Sequence, residues 1–201
     1  MLDSNPWINF FVALTVLANV ATLTLWVLGI ASALGFGRAL WQQVRDALGD
    51  TGITLAAIVA GTAMVGSLYM SEGAHFLPCK LCWYQRIGMY SLAIILVIAA
   101  VRRDWNIRIY ATTLAVLGGI VSTYHYLIER FPSLEKGTSC DPTNPCTFVW
   151  FFHLHYISIP FMALSAFALV ATMLSVARPA PTEDDGERVL DDALRQEESP
   201  V

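Results

Sequence analysis

Charged side chains are scarce in this sequence, and those present are unevenly distributed. Only 14% of the 201 residues are charged, whereas 56% are hydrophobic, a balance too apolar for an ordinary soluble domain. Half of the sixteen acidic residues lie within positions 183–201, and the preceding part of the chain is close to neutral. The chain therefore lacks the basic surface by which proteins bind nucleic acid, and no nucleic-acid partner is expected.

The hydrophobic residues are collected in five runs that few charges interrupt. Runs of about 18 or more apolar residues are long enough to cross a bilayer. A backbone in lipid must satisfy its own hydrogen bonds, so runs of this kind form helices. We therefore expect an all-α integral membrane helical bundle with five spans, at about 9–35, 53–70, 84–101, 109–128 and 156–177.

The segment before the first run contains no Lys or Arg. Ala31-Ser32-Ala33 resembles the cleavage site of a signal peptide, but only Asp3 is charged ahead of the run. A signal peptide begins with basic residues, and its apolar core is shorter than this run. We expect the first run to be retained as a membrane helix.

Lys and Arg residues in the loops predict the orientation, because they are more frequent on the cytoplasmic side. Eight fall on one side and four on the other. The N-terminus is then extracytoplasmic, and residues 178–201 form an acidic cytoplasmic tail whose composition predicts disorder. The cytoplasmic set is Arg38, Arg45, Arg102, Arg103, Arg108, Arg178, Arg188 and Arg195, and the opposite set is Lys80, Arg86, Arg130 and Lys136.

Only four cysteines occur, and all of them fall on the predicted extracytoplasmic side. They form two pairs, Cys79/Cys82 at the mouth of the third span and Cys140/Cys146 in a loop. Disulfides persist in an oxidising compartment of this kind. Two dithiols on one face of a membrane suggest that electrons pass from one pair to the other, and a structural disulfide is the alternative.

The first cysteine pair is expected at a helix N-terminus. Pro78 precedes it, and proline is favoured at the first position of a helix. Unpaired N–H groups and the helix dipole favour an anion in the first turn, which lowers the pKa of a thiol there. Arg86 lies on the same helical face, one turn beyond Cys82. Its guanidinium would stabilise a Cys82 thiolate or donate to a ligand carbonyl; the alternative is an arginine that reaches out to the interface.

The second cysteine pair is separated by Asp-Pro-Thr-Asn-Pro at 141–145, a segment made of turn-forming residues. Such a turn would bring Cys140 and Cys146 together. We expect the loop to be accessible and its disulfide to exchange readily. A static disulfide that only braces the loop is the alternative.

A metal site is a further interpretation of these residues. A Cys-X2-Cys pair is common in zinc sites, and the four histidines map to the same side as the cysteines. The second pair is spaced more loosely than a usual zinc motif, so we expect no metal. The histidines are His75, His125, His153 and His155.

Residues 79–86, Cys-Lys-Leu-Cys-Trp-Tyr-Gln-Arg, resemble the signature of the disulfide bond formation protein B (DsbB) family of membrane thiol oxidases. Residues 124–141 are also similar to that family, as are Trp150 and Ile159-Pro160. The resemblance covers about 53–177 and implies a four-helix core there. Residues 1–52 would then be an additional N-terminal membrane helix and a cytoplasmic loop.

The resemblance implies a quinone-linked cycle in the bacterial cytoplasmic membrane. A reduced extracytoplasmic thioredoxin-fold thiol oxidase, a DsbA-like protein, would attack the loop disulfide. Cys140 would form the mixed disulfide, and Cys146 would be its partner. Electrons would then pass to Cys79 and Cys82, and from them to ubiquinone or menaquinone of the membrane pool.

The resemblance also implies roles at the quinone. Cys82 would face the quinone, and Arg86 would stabilise the thiolate–quinone adduct. His125 would lie near the quinone ring; an interfacial, hydrogen-bonded histidine is the alternative. A vitamin K epoxide reductase-like enzyme also combines two dithiols with a quinone, but there the loop pair precedes the Cys-X-X-Cys pair, whereas here it follows.

Small residues recur at four-residue spacing in the second and fourth runs, which would let helices pack closely. Aromatic residues collect near the cysteines, where most would anchor the protein at the interface and some could line a quinone pocket. The small pairs are Ala57/Gly61, Thr62/Gly66 and Gly118/Ser122, and the aromatic residues are Trp83, Tyr84, Trp150, Phe151, Phe152 and Tyr156.

Overall fold

The computed structural model describes residues 5–49, 51–135, 140 and 144–177. Within these ranges it contains six α-helices. The predicted disordered tail at 178–201 and the turn at 141–143 lie outside the described residues. The helices are α1 (Pro6–Ala33), α2 (Arg38–Gly49), α3 (Gly52–Leu68), α4 (Lys80–Arg102), α5 (Arg108–Arg130) and α6 (Ile159–Val176).

Five of these helices are long and apolar enough to span a membrane: α1, α3 with its continuation to Gly73, α4, α5 and α6. They coincide with the five predicted runs, which confirms an integral membrane helical bundle with an additional N-terminal helix. The continuation of α3 is a π-helical turn, Tyr69–Gly73.

Two helices begin away from the start of their apolar runs. α4 begins at Lys80, four residues before its run, and the Cys79 side chain caps its first turn, which agrees with the prediction that the first cysteine pair lies at a helix N-terminus. Pro78 lies before the cap and not at the first helical position. α6 begins at Ile159, three residues after the start of its run, because Leu154 and His155 adopt left-handed backbone conformations in a tight turn.

The segment between the first two membrane spans is not only a loop. Residues Arg38–Gly49 form α2, a twelve-residue helix that is too short and too polar to cross a bilayer. The expected cytoplasmic loop therefore contains a helix. Trp41 of α2 contacts Gly29 of α1, so α2 folds back against the first span.

The membrane helices form a ring of four with one helix outside it. α3 packs on α4, α4 on α5, α5 on α6 and α6 on α3, while α1 packs along α6. Small residues permit the closest approach: Phe167 of α6 inserts between Gly88 of α4 and Gly118 of α5. The end of this bundle where α4 begins is called the cysteine end below.

Candidate active site

The first cysteine pair is held by the N-terminus of α4. Cys79 is the N-cap residue, and its Sγ atom accepts a hydrogen bond from the Cys82 backbone N–H at 3.3 Å. The two residues are free thiols whose sulfur atoms lie 3.1 Å apart. Since a disulfide bond measures about 2.05 Å, only a small side-chain movement would be needed to join them once a two-electron oxidant is present.

His125 of α5 lies behind this pair and is 2% exposed. The Gln85 Nε2 atom lies 3.0 Å from its Nδ1 atom. Because the amide donates to Nδ1, the neutral ring carries its proton on Nε2. That Nε2 atom lies 3.1 Å from the Cys146 carbonyl oxygen and 3.6 Å from the Cys79 sulfur, so the imidazole faces both cysteine pairs.

The environment of Cys79 favours its thiolate. The hydrogen bond from the Cys82 thiol lowers the pKa of Cys79, burial raises it, and the contact with His125 lowers it again. The net result is a pKa well below that of an ordinary thiol. The sequence spacing pointed instead to a thiolate on Cys82 beside Arg86. Cys79 takes that role because, as the cap, its sulfur accepts the backbone N–H of Cys82 and lies in contact with the Cys82 sulfur, which lowers the pKa of Cys79.

The second cysteine pair forms a disulfide, Cys140–Cys146, with the two Cα atoms 6.0 Å apart. Cys146 is fully buried in one cluster with Cys79, Leu81 and Ile128, and Cys140 packs against that cluster while half-buried. The loop pair therefore lies directly on the helix pair. The prediction of an accessible loop pair is wrong for Cys146, because the loop folds inward; Cys140 alone keeps partial exposure.

A polar contact fixes this inward fold of the loop. The Asn144 side-chain nitrogen donates to the Pro78 carbonyl oxygen at 3.1 Å. Pro78 immediately precedes the N-cap of α4, so the loop that carries Cys146 is attached to the residue beside Cys79. The two dithiols are thus positioned by a direct contact between the segments that carry them.

Cys82 opens onto a cavity of about 410 Å³ among α1, α3, α4 and α6. Volume and lining are typical of a small-molecule site. Phe76 and Trp150, whose rings stack with centroids 4.7 Å apart, cover its cysteine end. The lining is almost wholly apolar; its polar side chains are Thr15, Thr62, Ser67, Gln85, Arg86 and Ser165, together with the Cys82 thiol.

Arg86 also lines this cavity, one turn beyond Cys82. Its Nε atom donates to Ser67 Oγ at 3.0 Å, and its Nη2 atom donates to the Ser67 carbonyl oxygen at 2.9 Å. The guanidinium lies 5.3 Å from the Trp83 ring centroid, a distance typical of a cation–π contact. Ser67 on α3 therefore holds the charge of Arg86 at the cavity wall.

The structure brings most of the predicted site residues together. All four cysteines and His125 meet at the cysteine end, and Cys82 and Arg86 share the cavity. His125 does not line the cavity, and it contacts Cys79, Gln85 and Cys146 instead. Of the six aromatic residues considered, Trp150 alone is among the lining residues.

Two polar residues of the site, Gln85 and Ser67, have no role assigned from the sequence. Gln85 stands inside the Cys-X-X-Cys-aromatic-aromatic-Gln-Arg motif, and its place there was a usable signal. Ser67 lies in an apolar run on another helix, where only the three-dimensional structure shows its contact with Arg86.

The helix pair and His125 could also hold a metal ion. The two sulfur atoms and one imidazole nitrogen lie within 4.8 Å of one another, and this is the single such group of three in the described part of the chain. Cys140 and Cys146 are bonded to each other, so their sulfur atoms do not join it. Three soft ligands suit zinc, which keeps the metal interpretation open to test.

Comparisons with known proteins give one family. The sequence model described as "Disulfide bond formation protein DsbB" matches residues 50–178. This match includes all four cysteines, Arg86 and His125, and it leaves α1 and α2 outside. No solved structure gives a significant match to the chain.

Curated relatives agree with this family. "Disulfide bond formation protein C" of Bacillus subtilis is 39% identical over 126 residues, 63% of this chain and 91% of the relative. "Probable disulfide formation protein C" of Halalkalibacterium halodurans is 41% identical over 113 residues, 56% of this chain and 82% of the relative. The "SPbeta prophage-derived disulfide bond formation protein B" of Bacillus subtilis is 40% identical over 107 residues, 53% and 71% of the two chains.

Proposed function

The chain belongs to the DsbB family of membrane disulfide bond formation proteins, and from this premise we propose that it is a thiol:quinone oxidoreductase. It would reoxidise an extracytoplasmic thioredoxin-fold thiol oxidase, a DsbA-like partner, and pass the electrons to ubiquinone or menaquinone in the bacterial cytoplasmic membrane. The observation that carries this proposal is the contact between two cysteine pairs, of which the helix pair opens through Cys82 onto an apolar cavity.

The difference in exposure between Cys140 and Cys146 supports which of the two sulfur atoms the partner attacks first. Cys140 is half-buried and Cys146 is fully buried, so the partner's thiolate reaches the Cys140 sulfur first. The Cys140–Cys146 bond then breaks, Cys146 leaves as a thiolate, and a mixed disulfide forms at Cys140. The partner's second thiol displaces Cys140, so that the partner ends oxidised and the loop pair holds two electrons.

The contact between the pairs supports the next transfer. Cys146 and Cys79 share one buried cluster, and His125 faces both. When the helix pair is a disulfide, exchange with the reduced loop pair restores the Cys140–Cys146 bond and leaves Cys79 and Cys82 as thiols. This exchange moves two electrons inward and changes no net redox state of the protein.

The reduced helix pair is arranged to lose its electrons at the cavity. The Cys82 sulfur lines the cavity and lies 3.1 Å from the Cys79 thiolate. Arg86 supplies a fixed positive charge one turn away. Formation of the Cys79–Cys82 bond would release two electrons and the single proton of the Cys82 thiol. A quinone bound in the cavity would take up both electrons and that proton, and its second proton would come from water, to which Cys79 lost its own proton on ionising.

The cavity suits a quinone by its chemistry. Its walls are apolar, the Cys82 thiol and the Arg86 guanidinium lie in its lining, and the Arg86 Nη1 atom makes no hydrogen bond within the described residues. A quinone has both features that such a cavity accommodates: a flat ring whose carbonyl oxygens suit the polar groups, and an alkyl tail that suits the apolar walls. The DsbB match likewise favours this function over the vitamin K epoxide reductase type.

The test is quinone reduction by the purified protein with a reduced thioredoxin-fold partner. We expect turnover by the unchanged chain and loss of turnover in Cys79→Ser and Cys82→Ser. Thiol trapping of the resting protein should show the Cys140–Cys146 pair bonded. Full activity in either serine variant would contradict the proposal.

The metal interpretation is tested on the same sample. Stoichiometric zinc that is lost in Cys79→Ser and His125→Ala, combined with absence of quinone turnover, would favour a metal-binding protein over an oxidoreductase. We expect no stoichiometric metal in the active preparation.

A further inference from the structure

The helix that lies outside the family match forms one wall of the cavity. Residues of α1 line it from Phe11 to Ala21, a stretch of eleven residues that extends about 15 Å along the helix axis. The matched part of the chain, 50–178, supplies the remaining walls. The α1 lining residues are Phe11, Leu14, Thr15, Leu17, Ala18 and Ala21.

α1 is attached to the core by specific contacts and not only by apolar packing. The Asn19 side-chain nitrogen donates to Ser165 Oγ at 3.0 Å, and the Trp26 indole nitrogen donates to Thr172 Oγ1 at 3.0 Å. Both acceptors lie on α6. Hydrogen bonds between helices in an apolar medium fix their relative rotation, so these two contacts determine which face of α1 meets the cavity.

At the cysteine end, α1 also closes on α3. The Asn5 side-chain nitrogen donates to the Tyr69 hydroxyl at 3.2 Å. The Phe11 ring lies so near Gly66 that a methyl group built there would be 2.8 Å from a ring carbon. The cavity is therefore covered by α1 near Cys82 and continues beneath this closure along the apolar face of α1.

We propose that α1 is a built-in wall of the quinone site that covers the isoprenoid tail of the quinone, while Cys82 and Arg86 receive the ring. This inference rests on the proposed function. The polar groups that would bind a ring belong to α3 and α4, whereas α1 contributes five apolar residues and Thr15, whose hydroxyl is bonded to the Phe11 carbonyl oxygen. Contact with α1 thus selects for a ligand with a long apolar tail.

Photo-crosslinking of the full-length protein in lipid nanodiscs tests the occupant of the wall. Ala18 is replaced by p-benzoylphenylalanine, and the control carries it at Val20, which is 56% exposed and does not line the cavity. A deuterium-labelled long-tailed ubiquinone is added, and the adducts are identified by mass spectrometry. We expect an adduct of the labelled quinone at position 18 that excess unlabelled quinone suppresses, and only lipid adducts at position 20.

Binding measurements with matched variants provide the second readout. Ala18→Trp should weaken binding of the long-tailed ubiquinone about tenfold, because displacing roughly two methylene groups from an apolar wall has that effect. Binding of a tail-less ubiquinone should not change, and Val20→Trp should affect neither ligand. If Ala18→Trp does not fold, Ala18→Leu is measured instead. It adds less volume and should also weaken binding of the long-tailed ubiquinone.

The outcomes separate this inference from the function on which it rests. Lipid adducts alone at position 18, or equal loss of affinity for tailed and tail-less quinones, would overturn the role of α1 even if turnover persists. Loss of the proposed function would instead appear as absence of quinone reduction by the unchanged protein, whether or not position 18 captures quinone.

Discussion

His125 is a single side chain that faces both dithiols. Its ring accepts from Gln85 at Nδ1, which leaves the Nε2 proton directed at the Cys146 carbonyl oxygen and the Cys79 sulfur. From these contacts we expect the imidazole to position the two pairs and to donate a hydrogen bond to the thiolate. This geometry differs from the expected place beside the quinone ring, which the cavity lining does not support.

The pH dependence of the reduced helix pair follows from these contacts. Because the pKa of Cys79 is lowered, its thiolate persists as the pH falls below about 8.5, the ordinary thiol value, and is lost only at the lower folded pKa. The ultraviolet absorbance of the thiolate, followed in the reduced protein, measures this titration. We expect His125→Phe to raise the apparent pKa and Cys79→Ser to remove the transition. A titration unchanged by His125→Phe would show that the imidazole does not stabilise the thiolate.

Arg86 is expected to act on quinone binding and not on the partner. Loss of a charge-assisted hydrogen bond of about 1.5–3 kcal/mol would weaken quinone binding by roughly tenfold to a hundredfold in Arg86→Ala. Ser67→Ala removes one of the two contacts that hold the guanidinium, so its effect should be smaller and in the same direction. Quinone titrations and partner-binding measurements on both variants check this; unchanged quinone affinity in Arg86→Ala would remove Arg86 from the site.

At the scale of the helices, close packing is concentrated at particular glycines. A methyl group at Gly118 would lie 2.4 Å from the Phe167 ring, whereas one at Gly61 would meet nothing within 4 Å. We expect Gly118→Ala to destabilise the bundle by about 1–3 kcal/mol through overpacking. Gly61→Ala should be neutral or stabilising by about 0.5–1 kcal/mol, since alanine is the better helix former. Thermal unfolding in detergent compares the two variants, and equal stability would show that α5 and α6 can separate without cost.

Hydropathy was sufficient to predict the five spans, because lipid imposes length and apolarity on each helix separately. Hydropathy was insufficient for α2, because its Arg and Gln residues led to the prediction of a loop. Only the structure shows that this segment is helical. Hydropathy alone did not give the helix starts, because local contacts decide them. The Cys79 side chain caps α4 four residues before its apolar run, as the cysteine pair after Pro78 predicted, whereas the left-handed turn at Leu154 and His155 delays α6.

The site was predictable where its residues share one motif. Cys79 caps α4, and Cys82 and Arg86 lie on its first two turns, so spacing alone placed the three residues together. The burial of Cys146 and the contact of Ser67 with Arg86 join segments that are distant in sequence, and only folding brings them into contact. The position of α1 at the cavity wall was likewise not predictable, because the sequence of an apolar helix does not show which of its faces meets a cavity.

For the whole molecule, the five candidate spans predict that α1 begins and α6 ends on opposite sides of the membrane. We expect the N-terminus and all cysteines outside and the residues after Ala177 in the cytoplasm, because Lys and Arg are more frequent in the loops of that side. A fluorescent protein fused to the C-terminus should therefore fold and fluoresce, whereas alkaline phosphatase fused there should be inactive. The reverse result would invert the topology and place the dithiols in a reducing compartment.

The short contact between Cys79 and Cys82 at the mouth of α4 has a consequence for the chemistry of the cell envelope. A protein thiol is dissolved in water and a quinone is dissolved in oil, so the two reactants never share a solvent. In the proposed cycle, two sulfur atoms 3.1 Å apart at the boundary would let electron pairs cross without either reactant leaving its own medium. The chain would thus work as an electron relay between two phases, and its rate should depend on how fast the oil phase renews its oxidant as much as on the reactivity of the thiols.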